Sequence, residues 1–509
     1  MVYAVVGGWL ALAALVVSCW RLIASHRRWR VVVLLLTLGF SLLHQLLFAA
    51  ATEDAFVSFR YAHNIADGNG PVFNPGDRTE GYSNFLWLVV IALPRAAFGT
   101  AVSTSAMVLG VVATLGCVLL AYFLADRITE LALPPGAEPR RAVGVAAAVL
   151  TAGASGLAVY GASGTELPMF VLLVLSVGYA LVVRRPVVAG VLVAGAVMTR
   201  PEGLVLAVVA GAWLVVAAAR ARHTWWAPVG YVLGALVFLV PWTAWRATYY
   251  HHFLPEPLHV SGPGWSYLAG FALAHLAFLV PAVGSAGALL RARNGAGEAR
   301  SALWFLLTVA VGSTAFVVVL VGDPDPAWRL LAPVPPLLAV ASVGTYGLLT
   351  AARPSPRPRT VSRLVPAAAA VLAGVAVAVS VLNPEVLARV RTWQTSSAQL
   401  AEIGSWLSRY LPPGSVVSAG APGALASSAG NGLLVVGPDA GGTTLAVPDR
   451  MGYAERQDCS DDLSVWYRVA TFHRTGTPFW ISVYPRADEE SQLVDDLDQA
   501  PGFEYVFCP

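Results

Sequence analysis

The chain has 509 residues, 57% of them hydrophobic and only 12% charged, with 32 basic and 29 acidic side chains for a formal net charge of +3. Ordinary soluble domains are about a quarter charged, so water is excluded as the main solvent of this protein. The small positive excess gathers in loops of one orientation, which argues against a nucleic-acid face, and all the basic residues are arginine, a bias with no mechanistic reading.

Apolar runs of about 18 to 20 residues, long enough to cross a hydrocarbon core of ~30 Å, recur from residue 2 to residue 382. They predict twelve spanning helices, at 2–23, 31–51, 101–124, 142–160, 167–183, 187–199, 203–219, 226–247, 268–290, 301–321, 330–350 and 364–382. The first lacks a charged leader and a small-residue cleavage site, so it is expected to span and not to be removed as a signal. A shorter apolar run, 84–98, contains Pro94 and Arg95. It is expected to lie at the interface or to re-enter, because only then do the arginine-rich loops fall on one side. Those loops carry Arg21, Arg27, Arg28, Arg30, Arg127, Arg140, Arg141, Arg184, Arg185, Arg220, Arg222, Arg291, Arg293, Arg300, Arg353, Arg357, Arg359 and Arg363. Arginine favours the cytoplasmic side.

From Asn383 onward acidic residues concentrate and no segment is apolar enough to span. On the arginine count this tail lies outside the cytoplasm. Residues 393–410 place Trp393, Leu400, Ile403, Leu407 and Tyr410 mostly at helical spacing and predict an amphipathic helix. Short apolar runs at 416–417, 433–436, 479–483 and 503–507 alternate with polar stretches such as 488–498, which suggests a small α/β domain. Its Gly-, Ala- and Ser-rich section, 418–446, is expected to be loop. The expectation is therefore a polytopic α-helical membrane protein of about twelve transmembrane helices plus interfacial helices. It divides into a membrane domain, 1–382, with its first outer loop at 52–100, and an extracytoplasmic α/β domain, 383–509. Cys459 and Cys508 are the only cysteines of that tail; placed outside, where disulfides persist, they are expected to pair, the alternative being two free thiols.

The outer loops carry the polar residues. The first runs TEDAFVSFRYAHNIADGNGPVFNPGDRTEGYSNFLW over 52–87, and Glu53 and Asp54 follow directly on a spanning helix. Carboxylates at membrane depth are costly and are site candidates by default; the plainer alternative is a solvated pair of loop acids. SGTE (163–166), TRPEG (199–203), ATYYHHFLPEPLH (247–259) and VGDPDPAWR (321–329) also abut helix ends on that side. Arginine's planar fork of donors suits phosphate, which makes Arg60, Arg200 and Arg329 candidates for holding an anionic head group. Asp54 is then placed to take a proton from an attacking hydroxyl. The competing readings are a structural pair of Arg200 with Glu202, another of Arg329 with Asp323, and interfacial aromatics at Tyr249 and Tyr250. His251 and His252 are adjacent and lack metal-ligand spacing. No phosphate-cradling loop or nucleophile elbow occurs.

The string EDAFVSFRYAHNIADGNGPVFNPGDRTEGYSNFLW resembles the first outer loop of GT-C glycosyltransferases of the mycobacterial arabinofuranosyltransferase B and flagellar motor control protein type. SGTE, TRPEGL and GDPDPAWR, with trailing Pro333, Pro335 and Pro336, resemble that family's later motifs in the same order, so the resemblance covers about residues 31 to 350. Glu53, Asp77 and Ser83 stand where aspartate, glutamate and threonine are usual. The resemblance implies a GT-C fold and transfer of a sugar from a polyprenyl-phosphate donor outside the cytoplasmic membrane, with the loop acid Asp54, beside Glu53, as base. The residues expected at the donor phosphate are Arg60, Arg200 and Arg329, and those expected at the substrate are Tyr61, Asn74, Glu80, Tyr82, Asn84, Glu166, Glu202, His251 and Asp323. Arabinofuranose is the first expectation for the sugar and a cell-envelope polysaccharide for the acceptor. No cofactor is expected, with a divalent cation left open. The partners expected are the lipid donor, the polysaccharide and the bilayer. A transporter or flippase, or a non-catalytic envelope-assembly protein, is the alternative, but repeats and midplane charges typical of transporters are not found. The tail is expected either to hold the acceptor or to serve as a lid.

Overall fold

The structure, a computed structural model, describes residues 1–133, 142–251, 264–291, 297–320, 327–351, 361–410, 413–414, 416–418, 422–436, 466–471, 479–484 and 504–508. In chain order the helices are α1 (Val2–Ser18), α2 (Trp20–Ser25), α3 (Arg27–Leu47), α4 (Glu53–Ala66), α5 (Phe85–Phe98), α6 (Val102–Leu131), α7 (Val143–Ala152), α8 (Ser155–Gly161), α9 (Leu167–Val182) and α10 (Pro186–Thr199). They continue as α11 (Gly203–Ala219), α12 (Trp226–Tyr250), α13 (Trp265–Ala274), α14 (Leu276–Arg291), α15 (Gly297–Leu320), α16 (Val334–Ala351), α17 (Val361–Leu382), α18 (Pro384–Tyr410) and α19 (Pro422–Ala429). A 3-10 turn covers Arg329–Leu331, and the strands are β1 (Val416–Ser418), β2 (Leu434–Val436), β3 (Trp466–Thr471), β4 (Phe479–Tyr484) and β5 (Glu504–Cys508).

Among the described residues 6 helices are long and apolar enough to cross a membrane, or up to 8 if the bent pairs α7/α8 (57°) and α13/α14 (90°) each count as one span. The expected count of twelve is not confirmed among the described residues. The runs expected at 167–183, 187–199 and 203–219 form α9, α10 and α11, of 16, 14 and 17 residues, and the first run breaks at Cys19 into α1 and α2. At 1.5 Å per residue α9 to α11 reach only about 21 to 26 Å, short of a ~30 Å core. Hydropathy measures apolar length along the chain and is blind to such breaks.

The chain separates into two compact units, and neither is continuous in sequence. Unit 1 comprises Met1–Ala49, Met107–Ala244 and Val260–Ala388; unit 2 comprises Ala50–Ala106, Trp245–His259 and Arg389–Pro509. The division expected at 382/383 follows the chain, whereas the contacts gather residues 50–106 and 245–259 with the tail.

Unit 1 is helical. All of α7 is buried, against α3, α16 and α17, as an apolar helix without a polar face requires. α10 and α12 cross where both backbones lack side chains: a Cβ on Gly190 would run into the Tyr231 carbonyl, and one on Gly234 into the Val187 carbonyl. Close approach through small residues replaces the hydrophobic drive that lipid does not supply. Two buried histidines that belong to no sequence motif are both satisfied. His44 lies 2.8 Å from Ser380 Oγ and 3.3 Å from the Ala152 carbonyl, and His275, at the α13/α14 break, lies 3.1 Å from Ser155 Oγ.

Unit 2 is built on a five-stranded sheet ordered β2-β1-β4-β3-β5. β1 and β2 run parallel with Val417 opposite Val435, and the remaining pairs are antiparallel, with Val417 opposite Val483 and Val469 opposite Ile481. Leu400, Ile403, Trp406 and Leu407 of α18 join Val417, Leu425 and Val435 in one core that also takes in Tyr61, Phe73 and Tyr82 from the 52–87 loop. Part of the section expected to be loop, 418–446, is α19 and β2. The buried face of α19 is largely glycine and alanine, which carries no hydrophobic period to read. α5 is anchored to α4 by Arg95, whose guanidinium lies 3.0 Å from Asp67. That contact accounts for an arginine in an apolar run. Cys459 and the stretch 488–498 lie outside the described residues, and Cys508 ends β5 opposite Trp466.

Candidate active site

In unit 2 the acidic pair opens α4. Thr52 is its N-cap, with Oγ1 accepting from the Ala55 amide at 3.2 Å, and Glu53 and Asp54 occupy the first turn, where the helix dipole favours carboxylates. The two then diverge. Glu53 accepts from the Gly423 and Ala424 amides, the second at 3.3 Å, so it caps the start of α19. Burial pushes the Glu53 carboxyl above its ordinary value, against the opposing pull of those two amides. The Asp54 side chain is exposed. Of two adjacent acids, Glu53 anchors a neighbouring helix and Asp54 is the more exposed.

The remaining candidates of this loop turn inward. Arg60 is 2% exposed; its Nε donates to the Phe73 carbonyl at 2.9 Å and its Nη1 to the Ala426 carbonyl at 3.2 Å, so the guanidinium braces the loop to α19, while Nη2 has no hydrogen-bond partner among the described residues. Asn74 grips β2 at both polar atoms, donating to the Val435 carbonyl at 2.9 Å and accepting its amide at 3.1 Å. Glu80 forms a buried ion pair with Arg246, Nε to Oε1 at 2.8 Å and Nη2 to Oε2 at 2.8 Å. The Tyr61 hydroxyl donates to the Thr79 carbonyl and accepts from the Gly81 amide, both at 2.9 Å. Tyr82 pairs with the Tyr250 hydroxyl at 3.0 Å, while Tyr250 donates to the Pro71 carbonyl at 2.6 Å. Asn84 donates to Ser58 Oγ at 2.9 Å. These buried side chains, expected at the sugar, hold the loop's shape. His251 is exposed beyond the end of α12 in a left-handed conformation, φ 63°.

In unit 1 Arg200, at the end of α10, pairs with Glu166, at the start of α9, and with Glu202, at the start of α11, the latter at 2.8 Å. Both carboxylates sit at helix N-termini, where they are favoured, and one guanidinium ties three helix ends together. Two negative charges already face Arg200, so the structural alternative raised for Arg200 with Glu202 holds and extends to Glu166. Arg329, half-buried in the 3-10 turn, stands within electrostatic reach of Arg200. The preceding Trp328 has φ 51° and meets His275 edge-on at 5.3 Å. Asp323 lies outside the described residues. Arg246 and Tyr250 were not expected as functional partners; a single arginine inside the apolar run 226–250 was the available signal, since buried charge demands a partner.

The helical fold of this chain is similar to that of solved structures of ArnT. Among solved structures, ArnT from Cupriavidus metallidurans in the apo state superimposes with a TM-score of 0.54 at 15% identity, over 80% of this chain and 86% of that one. The same protein bound to undecaprenyl phosphate gives 0.53 at 15% identity, over 80% and 85%. The oligosaccharyltransferase from Archaeoglobus fulgidus in the apo form gives 0.47 at 11% identity, over 76% of this chain and 59% of that one. No family model and no curated protein matches the sequence.

Proposed function

We propose that the protein is a membrane glycosyltransferase that moves a sugar from a polyprenyl-phosphate donor to a cell-envelope glycan on the outer side of the cytoplasmic membrane. The observation that carries this reading is the fold shared with ArnT, a protein solved with undecaprenyl phosphate bound. In the proposed step an acceptor hydroxyl attacks the anomeric carbon, a glycosidic C–O bond forms, and the bond from that carbon to the phosphate oxygen breaks. The polyprenyl phosphate leaves with the electron pair, and the hydroxyl proton passes to Asp54. Support for Asp54 over Glu53 is its greater exposure. A base must reach the proton it removes. Of the three arginines proposed for the phosphate, Arg329, half-buried in the 3-10 turn, is the first to test. Arabinofuranose is the first sugar to test, and the outward orientation rests on the arginine distribution. The reaction is assayed with purified protein, a panel of polyprenyl-phosphate sugars and synthetic glycan acceptors. Asp54→Asn keeps size and shape and is expected to abolish transfer while the protein stays folded; full transfer by that variant overturns the assignment of the base.

A further inference from the structure

Unit 1 contains a groove of about 550 Å³ between α11 and α15, lined along its length by Val208, Ala212, Val216, Trp304, Phe305 and Thr308. Arg220 and Arg222, which follow the C-terminal end of α11, and Arg300, in the first turn of α15, also line it. Its floor is fixed: Trp213 Nε1 donates to Ser301 Oγ at 3.1 Å and packs on Phe305 with ring centroids 5.7 Å apart. The apolar lining stays open, with Val208 71% and Val216 45% exposed. Glu298, the acid nearest these arginines in sequence, is engaged by Arg184. Arg222 donates to the Gly297 carbonyl at 3.2 Å, and neither Arg220 nor Arg300 has a carboxylate partner among the described residues. Three arginines thus line an uncovered apolar trough.

From Val208 to Arg220 the trough follows about 18 Å of helix, close to one leaflet of a ~30 Å hydrocarbon core. A polyprenyl chain is far longer than that, whereas an ordinary acyl chain fits. Basic pockets between membrane helices are also the chemistry that recognises anionic head groups. We infer that this groove binds one anionic phospholipid, its phosphate on Arg220, Arg222 and Arg300 and one acyl chain along α11 and α15. The site does not depend on the proposed glycosyl transfer, since none of its residues takes part in that step.

The test uses the full-length protein in detergent, stripped of lipid, with binding read by native mass spectrometry during titration with phosphatidylglycerol, phosphatidylcholine or undecaprenyl phosphate. One phosphatidylglycerol per chain is expected to bind in preference to the other two. R220Q/R222Q/R300Q is expected to weaken it on the order of a hundredfold, and R27Q/R28Q, which changes exposed arginines elsewhere, to leave it unchanged. Thr308→Trp keeps the arginines and fills the trough; it too is expected to displace the lipid, and it stands in if the triple variant fails to fold. Equal binding by wild type and Thr308→Trp, equal loss in R27Q/R28Q, or preference for undecaprenyl phosphate would each overturn the assignment.

Discussion

The contact of α4 with α19 turns on Gly423, and Gly423→Ala tests whether it organises unit 2. An added Cβ would lie 2.7 Å from Glu53 Oε1, 2.8 Å from the Val57 nitrogen and 2.9 Å from the Glu53 carbonyl oxygen. Two of these atoms are backbone, so a rotamer change cannot relieve the clash and the helices must separate. Overpacking of this kind costs about 1 to 3 kcal/mol, and separation also weakens the cap that Glu53 places on α19, typically another ~1 kcal/mol. Against this stands the gain of up to ~1 kcal/mol for alanine over glycine inside a helix, which is smaller in a first turn. The net expectation is a loss of about 1 to 3 kcal/mol, confined to unit 2. Hydrogen exchange read peptide by peptide is the assay: residues 53–66 and 422–429 are expected to exchange faster, with α7 and α16 unchanged. Gly432→Ala, whose Cβ meets nothing within 4 Å, serves as the control and should be silent. Wild-type protection of α4 and α19 in Gly423→Ala would refute the reasoning.

Three further outcomes follow from the buried charges. Glu80→Gln or Arg246→Ala alone leaves a buried partner uncompensated and should destabilise unit 2 by roughly 3 to 5 kcal/mol; in thermal melts the apolar double variant Glu80→Leu/Arg246→Met should be more stable than either single one, and additive losses would argue against the pair. Arg200→Ala should act on folding, by a similar ~3 to 5 kcal/mol, whereas Arg329→Ala should reduce retention of the donor lipid by about 1.5 to 3 kcal/mol; the opposite split, measured by melting and lipid binding on both variants, would exchange the two roles. Glu53 has a raised carboxyl in the folded state, so the folded unit holds its proton more tightly than the unfolded chain. Its contribution is therefore full below the ordinary carboxylate range and is lost as pH rises through the raised value. Exchange protection of α19 should fall over that window in the wild type and stay level in Glu53→Gln; an unchanged pH profile in the variant would remove Glu53 as the cause.

The sequence by itself determined the membrane character, because apolar length is a property of consecutive residues and needs no partner to be read. It also located the 52–87 loop and the acids beside it, since charge next to a spanning run is costly wherever the chain goes. The α18 stripe of Leu400, Ile403 and Leu407 was legible for the same local reason. What each polar side chain does was decided only by tertiary structure. Glu53 and Asp54 are adjacent and chemically alike, and only the arrival of α19, some 370 residues later in the chain, turns one into a helix cap and leaves the other exposed. Arg60, Arg200 and Arg329 read alike as phosphate ligands, yet Arg60 donates to two backbone carbonyls and Arg200 faces two carboxylates. Glu80 found Arg246 across 166 residues. Hydrogen bonds and ion pairs depend on distances of a few ångströms between segments remote in sequence, and no periodicity along the chain encodes them. The breaks at Cys19, between α7 and α8 and at His275 belong to the same class, because composition reports that a run is apolar and only packing decides whether it stays straight.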